Sequence, residues 1–525
     1  MIKMRRPTAL MLTTMMLFPI SPILTCAAAQ TPSPAGAPVV QMDTIATEGL
    51  KFVDQFGRQR IFHGVNLVFK GTRGADGSVR YDFPYTARDV DFLGDQGFNV
   101  VRLGLIWDAV EPRPGEYDDA YLDEIKTLLD ACAARGVYAF LDMHQDLYSA
   151  RFGDGAPGWA TLTDQPFEPT ALWSDAYLAS PAVQEAYDAF WENRPASDGI
   201  GLQEHYAAMW AHVVARLGAH PAVIGYDFLN EPNPGTGSVE TFGALMAAAA
   251  ALRTQAEGRK YTMEEMIAAF SDPAEKRKLL GLLEDKEFYR TLCDLAKDSV
   301  AAFDRGVLGA FYDRMTLAAR AASEEGIVFR ENSYFSNMGV SCAAQPVQGT
   351  GGREPNQAYS PHGYDLVVDT DALALASDAR VDVIFEAHRE TQLALNVPVL
   401  VGEWGAFGHS PDILGHARHI MDLFDEWQWS SAYWCYHGNF GSAPVLPILS
   451  RTYPRAVAGE IISMRTDEGD NFTLVWRDDA ACAAPTEIYL HAAPHAVMLD
   501  GAYEIESGVL RIAPAGGERT VTIRY

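Results

Sequence analysis

The sequence lacks the patterns that mark zinc enzymes and nucleic-acid-binding proteins. HExxH is absent, and the 13 histidines are scattered rather than clustered at metal-ligand spacings. Basic residues are few, 41 against 69 acidic ones, which gives a formal net charge of −28. An acidic chain has no electrostatic footprint for nucleic acid and is repelled by anionic membrane surfaces. We therefore expect no bound metal and no nucleic-acid partner.

Cysteine is also scarce. Five residues follow Cys26, and none of them are spaced as C-x-x-C: Cys132, Cys293, Cys342, Cys435 and Cys482. An odd number cannot complete a disulfide framework. Cys132 and Cys435 stand in apolar surroundings, so we expect them to be small core residues.

A single long apolar run occurs, and it lies at the N-terminus. Basic residues precede the apolar stretch 9–24, and an alanine triplet that fits a cleavage site follows it. A membrane-spanning helix is the alternative, but Pro19, Pro22 and the short apolar core argue against it. We expect a cleaved signal peptide over 1–29 and a secreted or periplasmic chain without stable membrane insertion. A lipoprotein anchor through Cys26 is a lesser alternative.

After a Pro/Ala-rich leader (30–44), short apolar segments alternate with helical patterns. Eight segments read as strands: 61–66, 98–107, 137–144, 222–231, 327–332, 358–364, 398–404 and 431–437. Eight strands with helical crossovers predict an α/β protein with a parallel (β/α)8 TIM barrel over 45–450. An open doubly wound sheet is the alternative, but no glycine-rich phosphate-binding fingerprint follows the first strand.

Two regions depart from the alternation. The connection 234–326 is much longer than usual between two strands, and its middle predicts helices inserted over one edge of the barrel mouth. Beyond about Tyr453 the helical patterns end, and short alternating segments take their place. They predict a small C-terminal antiparallel β-sandwich domain over 451–525.

Polar side chains stand at the ends of the predicted barrel strands, where the active face of such a barrel forms. They are Arg102, His144, Asn230, Glu231, His362, Tyr364, Glu403 and Trp434. Taken singly, each is as readily a solvated or packed side chain. Together they supply what cleavage of a glycosidic bond needs, which is one protonated and one ionised carboxyl group. Arg102 and Tyr364 can keep Glu403 charged, Asn230 can bind a sugar hydroxyl, and Trp434 offers a flat face for a sugar ring.

In this chain order the set resembles the active-site set of glycoside hydrolase family 5. The resemblance implies that Glu231 is the acid/base, that Glu403 is the nucleophile, and that anomeric configuration is retained. It implies no cofactor and no metal.

Four longer motifs narrow the resemblance: GVNLVFKG (64–71), LDMHQDLYSARFG (141–153), AFWENRPASDGIGLQEHYAAMW (189–210) and RTYPRAVAGE (451–460). They are similar to motifs of the endoglycoceramidase, or glycosylceramidase-like, branch. The similarity places Lys70 near a sugar, Asp146 at the outer part of the glycan, and Trp191 stacked on a sugar. The insertion at 234–326 does not align with the branch, so it leaves the length of the accepted glycan open.

We therefore expect a monomeric, secreted, retaining β-glycosidase that hydrolyses the bond between glucose and ceramide in glycosphingolipids. The lipid groove would have to come from apolar residues of the barrel mouth and the sandwich domain. A β-glucosidase or endo-β-glucanase acting on soluble or plant glycans, or on sterol or other lipid glucosides, is the alternative. A non-catalytic carbohydrate or glycolipid binder is a third reading, which the intact carboxylate pair opposes.

Overall fold

The structure is a computed structural model, and it describes residues 42–525, without the side chains of Ser271 and Pro273. The predicted signal peptide and nearly all of the leader lie outside the described residues. Among residues 42–525, no helix combines the length and the apolar character needed to cross a membrane. All five cysteines of this part are unpaired; Cys132 is buried and Cys435 is half-buried.

Eight parallel strands form the catalytic barrel. They are β1 His63–Val68, β2 Val100–Ile106, β3 Tyr138–His144, β4 Val223–Asp227, β5 Ile327–Arg330, β6 in two pieces Gln357–Tyr359 and His362–Gly363, β7 Leu400–Gly405, and β8 Ser430–Trp434. The first piece of β6 pairs with β5, the second piece pairs with β7, and Tyr359 also bridges to Val399. Because β8 pairs with β1, the sheet closes on itself. The predicted barrel is confirmed.

The barrel strands are buried on both faces, as their apolar sequences require. Every residue of β2, β3 and β5 is buried. The helices that alternate with the strands or extend their loops are Ala87–Asp95, Trp107–Val110, Asp119–Arg135, Ala176–Ala179, Pro181–Trp191, Leu202–Leu217, Val307–Ala322, Asp378–Leu395, Leu414–Trp427 and Leu446–Leu449.

The helix Asp119–Arg135 shows how the sequence fixes such an element. The carboxylate of Asp118 accepts the backbone N–H groups of Ala120 and Tyr121, which caps the first turn. Gly136 then ends the helix at φ 68°, a left-handed conformation that favours glycine. The following residues run directly into β3.

Four helices fill the long connection between β4 and β5: Gly237–Glu257, Met263–Ser271, Pro273–Leu282 and Lys286–Arg305. They share an apolar cluster of their own, to which Leu245, Met266 and Leu292 contribute. Phe335 and Ile384, from segments that follow β5 and β6, join the same cluster. The inserted helices are therefore anchored to the segment that follows β5 and to the helix Asp378–Leu395.

Two antiparallel sheets follow the barrel. One contains Gly459–Thr466, Phe472–Asp478, Gly517–Arg524 and Ala496–Leu499; the other contains Tyr453–Val457, Thr486–Tyr489, Val509–Ile512 and Tyr503–Glu506. The second sheet also takes three strands from before the barrel, Ile45–Glu48, Lys51–Asp54 and Gln59–Arg60. Ala456 pairs there with Arg60, so residues from both ends of the described chain complete this sheet.

Gly225 lies where the strands β4 and β5 approach each other closely. A Cβ atom at this position would lie 2.1 Å from the carbonyl oxygen of Ile327 and 2.7 Å from the ring of Phe329. We predict that Gly225→Ala lowers the free energy of unfolding by about 3 kcal/mol, because overpacking forces the backbone to move. Chemical denaturation would measure the change.

The matched control is Gly243→Ala in the helix Gly237–Glu257, where an added Cβ meets nothing within 4 Å. This substitution should stabilise the protein by up to about 1 kcal/mol, since alanine favours helix more than glycine does. Equal denaturation midpoints for both variants would contradict the packing described for β4 and β5.

Candidate active site

A buried arginine organises the centre of the barrel. Arg102, on β2, donates from Nη1 to Glu403 Oε1 at 2.6 Å, from Nε to Asp227 Oδ2 at 3.0 Å, and from Nη2 to Glu331 Oε1 at 2.8 Å. Asp142 Oδ1 lies 3.0 Å from Nη2. Burial works against the charge, but Asp142 and Asp227 outweigh it and raise the pKa of Arg102 well above its usual value. The guanidinium is therefore permanently charged.

Glu403, on β7, is held in a form suited to carrying a negative charge. One oxygen accepts from Arg102, and the other accepts from the Tyr364 hydroxyl at 2.8 Å. Burial and the neighbouring Glu403 raise the pKa of Tyr364 well above its usual value, so the phenol stays a donor. Hydrogen bonds to both oxygens stabilise an ionised carboxylate.

Glu231 lies in a different environment, four residues beyond the end of β4. Its Oε1 accepts from Asn337 Nδ2 at 2.8 Å and lies 3.1 Å from His362 Nδ1. Burial raises the pKa of Glu231 above its usual value, and the negative charges of Glu403 and Glu331 add to this, whereas His362 opposes it. Glu231 therefore keeps its proton to a higher pH than an ordinary glutamate does.

The two carboxyl groups face each other across the barrel mouth. An oxygen of Glu231 and an oxygen of Glu403 lie within 4.8 Å of each other and of a ring nitrogen of His362. Two similar side chains are thus brought together in different surroundings, since Glu403 accepts from Arg102 and Tyr364, whereas burial raises the pKa of Glu231.

Contacts with other side chains and with the backbone orient Asn230 and His144. The Asn230 side chain accepts from Arg102 at 3.0 Å and donates to the Gln145 carbonyl at 3.0 Å. His144 Nδ1 faces Asp142 Oδ2 at 2.9 Å, and the His144 ring stacks on Trp434 with centroids 5.2 Å apart. Within the described part of the chain, His144 Nε2 is buried without a hydrogen-bond partner, so it is available to a ligand hydroxyl.

Lys70 and Asp146 form an ion pair on the side of the site where Trp434 lies. Lys70 also lies 3.8 Å from Asp154 and 5.0 Å from the ring centre of Trp434. Burial raises the pKa of Asp154 to about 7, with Lys70 opposing this shift and Asp146 adding to it. The Trp434 face, the ammonium group and the Asp146 carboxylate together suit the hydroxyl-rich surface of a sugar.

Trp191 is the one predicted site residue that the structure does not bring to the others. Its indole N–H donates to the Asn233 carbonyl at 2.8 Å, and its ring packs edge-on against Phe303 and Phe311. It does not line the cavity described below. Its stacking on a sugar stays a prediction, and core packing explains its position.

Three groups of histidine and carboxylate side chains lie close enough to hold a cation. They are His144 with Asp146 and Asp154, Asp227 with Glu331 and His362, and Glu231 with His362 and Glu403. Lys70 already pairs with the first group, and Arg102 with the second and third. In each group, at least one carboxylate is therefore already paired with a cation of the protein itself.

A cavity of about 520 Å³ opens directly onto these residues. Both catalytic candidates, Glu231 and Glu403, line one part of it together with His144, Tyr364 and Trp434. Another part is lined by apolar residues of the inserted helices, among them Phe242, Leu245, Met246, Ala249, Phe270, Leu279 and Leu292. A second cavity of about 330 Å³ shares Lys70, Asp146 and Trp173 with the first.

The sandwich domain contributes none of the described residues that line the main cavity. The expectation that this domain helps to form a lipid groove is therefore not supported by the lining. The apolar wall comes instead from the insertion, whose helices lean over the barrel mouth, and from barrel-loop residues such as Leu178, Phe335 and Met338. Sequence patterns predicted these helices but not the surface they present.

Comparison with known families assigns the chain. Residues 64–277 and 297–440 match the model of the cellulase family, glycosyl hydrolase family 5, and residues 451–524 match the family 5 C-terminal domain. The chain belongs to glycoside hydrolase family 5. The resemblance that the active-site residues indicated is confirmed, and the protein is a glycoside hydrolase.

Within family 5, the relatives that cover most of the chain include endoglycoceramidases, the branch that the motifs indicated. Endoglycoceramidase I of Rhodococcus hoagii (strain 103S) is 27% identical over 511 residues, which cover 93% of this chain and 87% of the relative. The structure of endo-glycoceramidase II from Rhodococcus sp., in complex with a five-membered iminocyclitol, has a TM-score of 0.69 and 27% identity. The match covers 91% of this chain and 99% of that one. A glucosylceramidase of Rhizopus delemar is 29% identical over 245 residues, 36% of each chain.

Several residues of the family 5 site escaped the sequence analysis. Glu331 and Asn337 contact Glu231, Asp142 and Asp227 contact Arg102, and Asp154 contacts Lys70. Glu331 carried a usable signal, because it follows the apolar strand β5 just as Glu403 ends an apolar run in β7. Asn337 and Asp154 lie in loops, where no periodicity marks them.

Proposed function

We propose that this family 5 enzyme is a retaining β-glycosidase that hydrolyses the bond between the glycan and the ceramide of glycosphingolipids. The observation that carries the proposal is the continuous cavity, in which a pair of carboxyl groups adjoins an apolar wall made by four inserted helices. Such a cavity matches a substrate with a sugar on one side of the scissile bond and a lipid on the other.

The separation of the carboxyl groups supports a double displacement. An oxygen of Glu231 and an oxygen of Glu403 lie within 4.8 Å of each other, which fits the short spacing, about 5 Å, of the carboxyl groups in retaining enzymes. Inverting enzymes need about 6.5–9.5 Å to admit a water molecule between the carboxyl groups. The geometry therefore favours direct attack by Glu403.

In the first step Glu403 attacks the anomeric carbon while Glu231 gives its proton to the departing ceramide oxygen. The bond to ceramide breaks, and a glycosyl ester forms on Glu403. In the second step Glu231, now ionised, takes a proton from water, and the resulting hydroxide displaces Glu403. The free sugar keeps its original anomeric configuration, and both carboxyl groups return to their starting states.

The pKa of Glu231 follows these steps in the required direction. Burial and the negative charge of Glu403 raise the pKa of Glu231 in the free enzyme, which favours the acid. Once Glu403 is esterified, its charge is gone, and the pKa of Glu231 falls. The same side chain is thus converted from an acid into a base when the mechanism needs it.

The aglycone assignment rests on the inserted helices, and the endoglycoceramidase relatives support it. Phe242, Leu245 and Met246 offer an apolar surface that a soluble glycan would not use. A sterol or other lipid glucoside would also fit an apolar wall, so it stands as the second candidate. The second cavity, which adjoins Lys70 and Asp146, leaves room for sugars beyond the first and favours release of an oligosaccharide.

We also propose export of the chain, because its first 29 residues fit a signal peptide with cleavage before Gln30. Intact-mass measurement on the chain recovered from periplasm or medium tests this. A mass that corresponds to a start at Gln30 is expected, and a full-length mass in the cytoplasmic fraction would contradict it.

The function is tested by product mass spectrometry on glucosylceramide and on a longer ganglioside-type glycolipid in mild detergent. We predict free ceramide from both, with intact oligosaccharide from the longer lipid. Glucose and ceramide from the short lipid alone would show that distal sugars are excluded. No ceramide from either lipid would contradict the proposed aglycone.

A pair of variants on one helix locates the lipid. Ala249 lines the cavity, whereas Ala251, on the same helix, is exposed. We predict that Ala249→Phe slows glycolipid hydrolysis about tenfold, since overpacking of an apolar site costs 1–3 kcal/mol. Hydrolysis of a soluble aryl β-glucoside should be unchanged. Ala251→Phe should affect neither substrate, and equal glycolipid activity in both variants would rule out this wall as the lipid site.

A further inference from the structure

Glu331 occupies the centre of the site without a role in the steps described above. It directly follows β5 and is 1% exposed. Its Oε2 accepts the backbone N–H of Glu231 at 2.8 Å, and its Oε1 accepts from Arg102 at 2.8 Å and lies 3.3 Å from His362 Nε2. One carboxylate thus reaches the backbone of the acid/base, the arginine that holds the nucleophile, and the histidine between the two catalytic groups.

The contact between Glu331 and the backbone N–H of Glu231 holds a residue whose backbone conformation is strained. Glu231 has φ 45°, in the left-handed region that non-glycine residues rarely adopt. The bond from its N–H to Glu331 fixes that conformation, and Asn337 holds the side chain. Glu331 is itself fixed, because its own N–H donates to the Tyr312 hydroxyl at 2.8 Å.

The contact between Glu331 and His362 affects the protonation of His362. His362 lies between two carboxyl groups, with Nδ1 3.1 Å from Glu231 Oε1 and Nε2 3.3 Å from Glu331 Oε1. Burial opposes a positive charge on His362, but Glu331, followed by Glu403, outweighs it and raises the pKa of His362 well above its usual value. His362 is therefore an imidazolium that offers an N–H to Glu231.

The other charged groups around this pair come from four further barrel strands. Arg102 on β2 donates to Glu331, and Asp142 on β3 and Asp227 on β4 face Arg102. Glu403 on β7 lies 3.6 Å from His362. Burial, together with the charge of Glu331, raises the pKa of Asp227 well above its usual value, whereas Arg102 lowers it.

We propose that Glu331 is a positioning residue, which fixes the conformation of the acid/base Glu231 through its backbone amide and controls its protonation through His362. The proposal rests on the acid/base role assigned to Glu231 above. Without the charge of Glu331, His362 loses its main counter-ion, and the pKa of His362 falls. His362 then favours the ionised form of Glu231 less. Because His362 affects the pKa of Glu231 more than the charge of Glu331 does, Glu231 holds its proton to higher pH.

The experiment measures the pH dependence of kcat/KM for Glu331→Gln, Glu331→Asp and Glu354→Gln. Glu354 supplies the matched control, because it is a buried carboxylate paired with Arg320 at 3.0 Å, away from the cavity. Soluble alkyl and 2,4-dinitrophenyl β-glycosides serve as substrates, so lipid binding does not enter the result. Only the alkyl leaving group needs a proton from Glu231.

For Glu331→Gln we expect the basic limb of the pH profile to move to higher pH by about one unit. A shift of this size is typical when a group loses one nearby charged partner. Activity on the alkyl glycoside should fall about tenfold or more, and on the dinitrophenyl glycoside much less. Glu331→Asp keeps the charge but is too short to hold the Glu231 amide. It should therefore leave the basic limb in place and lower kcat on the alkyl glycoside. Glu354→Gln should change neither the limb nor the leaving-group dependence.

An unmoved basic limb in Glu331→Gln, or equal losses on both glycosides, would overturn the proposal. If Glu331→Gln does not fold, Glu331→Asp decides, since wild-type kcat on the alkyl glycoside would refute the backbone role. Glu231→Gln, measured in parallel, separates this from the proposed function. Full activity of Glu231→Gln on the alkyl glycoside would refute the mechanism itself, whereas loss in Glu231→Gln with no shift in Glu331→Gln would refute only the role of Glu331.

Discussion

The site depends on one buried positive charge, the guanidinium of Arg102. A carboxylate taken out of water without a partner costs several kcal/mol, and four carboxyl groups converge inside this barrel. Arg102 contacts all four, Asp142, Asp227, Glu331 and Glu403, from a fully buried position. Each contact comes from a different strand or strand end, so a closed parallel barrel is the scaffold that lets one arginine serve them all. Removing this charge would leave the carboxylates without a common partner.

That arrangement divides two similar side chains into different chemical roles. Arg102 and Tyr364 bind the charged form of Glu403, whereas Glu231 is beyond the reach of the arginine and has His362 and Asn337 instead. The inserted helices then add an apolar surface on one side of this pair, while Lys70 and Asp146 add charge on the other. The cavity therefore has a polar side and an apolar side, as its proposed substrate does. The two carboxyl groups determine where the glycosidic bond is cleaved. The polar and apolar walls of the cavity determine where the sugar and the lipid of the proposed substrate bind.

Much of this was predictable from sequence, because strand patterns and strand ends are local properties. Runs such as 137–144 are mostly apolar, and polar residues that end such runs, His144 among them, lie at the active face, as the barrel requires. Glu231 is an exception, since β4 ends at Asp227 and a left-handed backbone, which no periodicity predicts, brings its carboxyl group to Glu403. Trp191 shows the converse limit: the motif placed it near a sugar, but it packs among neighbouring aromatic rings and does not line the cavity. The apolar wall and the sheet shared by residues 45–60 and 453–457 depend on long-range packing, which local patterns do not contain.

The most direct test of the account is to trap the covalent intermediate that Glu403 should form. A 2-deoxy-2-fluoro-β-glycosyl fluoride would be incubated with the enzyme. The fluorine at C2 slows both steps, and the reactive fluoride leaving group keeps the first step faster than the second, so the intermediate accumulates. Peptide mass spectrometry would then locate the added sugar. The account predicts one sugar per chain, attached to Glu403, and no label in Glu403→Gln. A sugar attached to another residue, or turnover without any label and with inverted product, would contradict it.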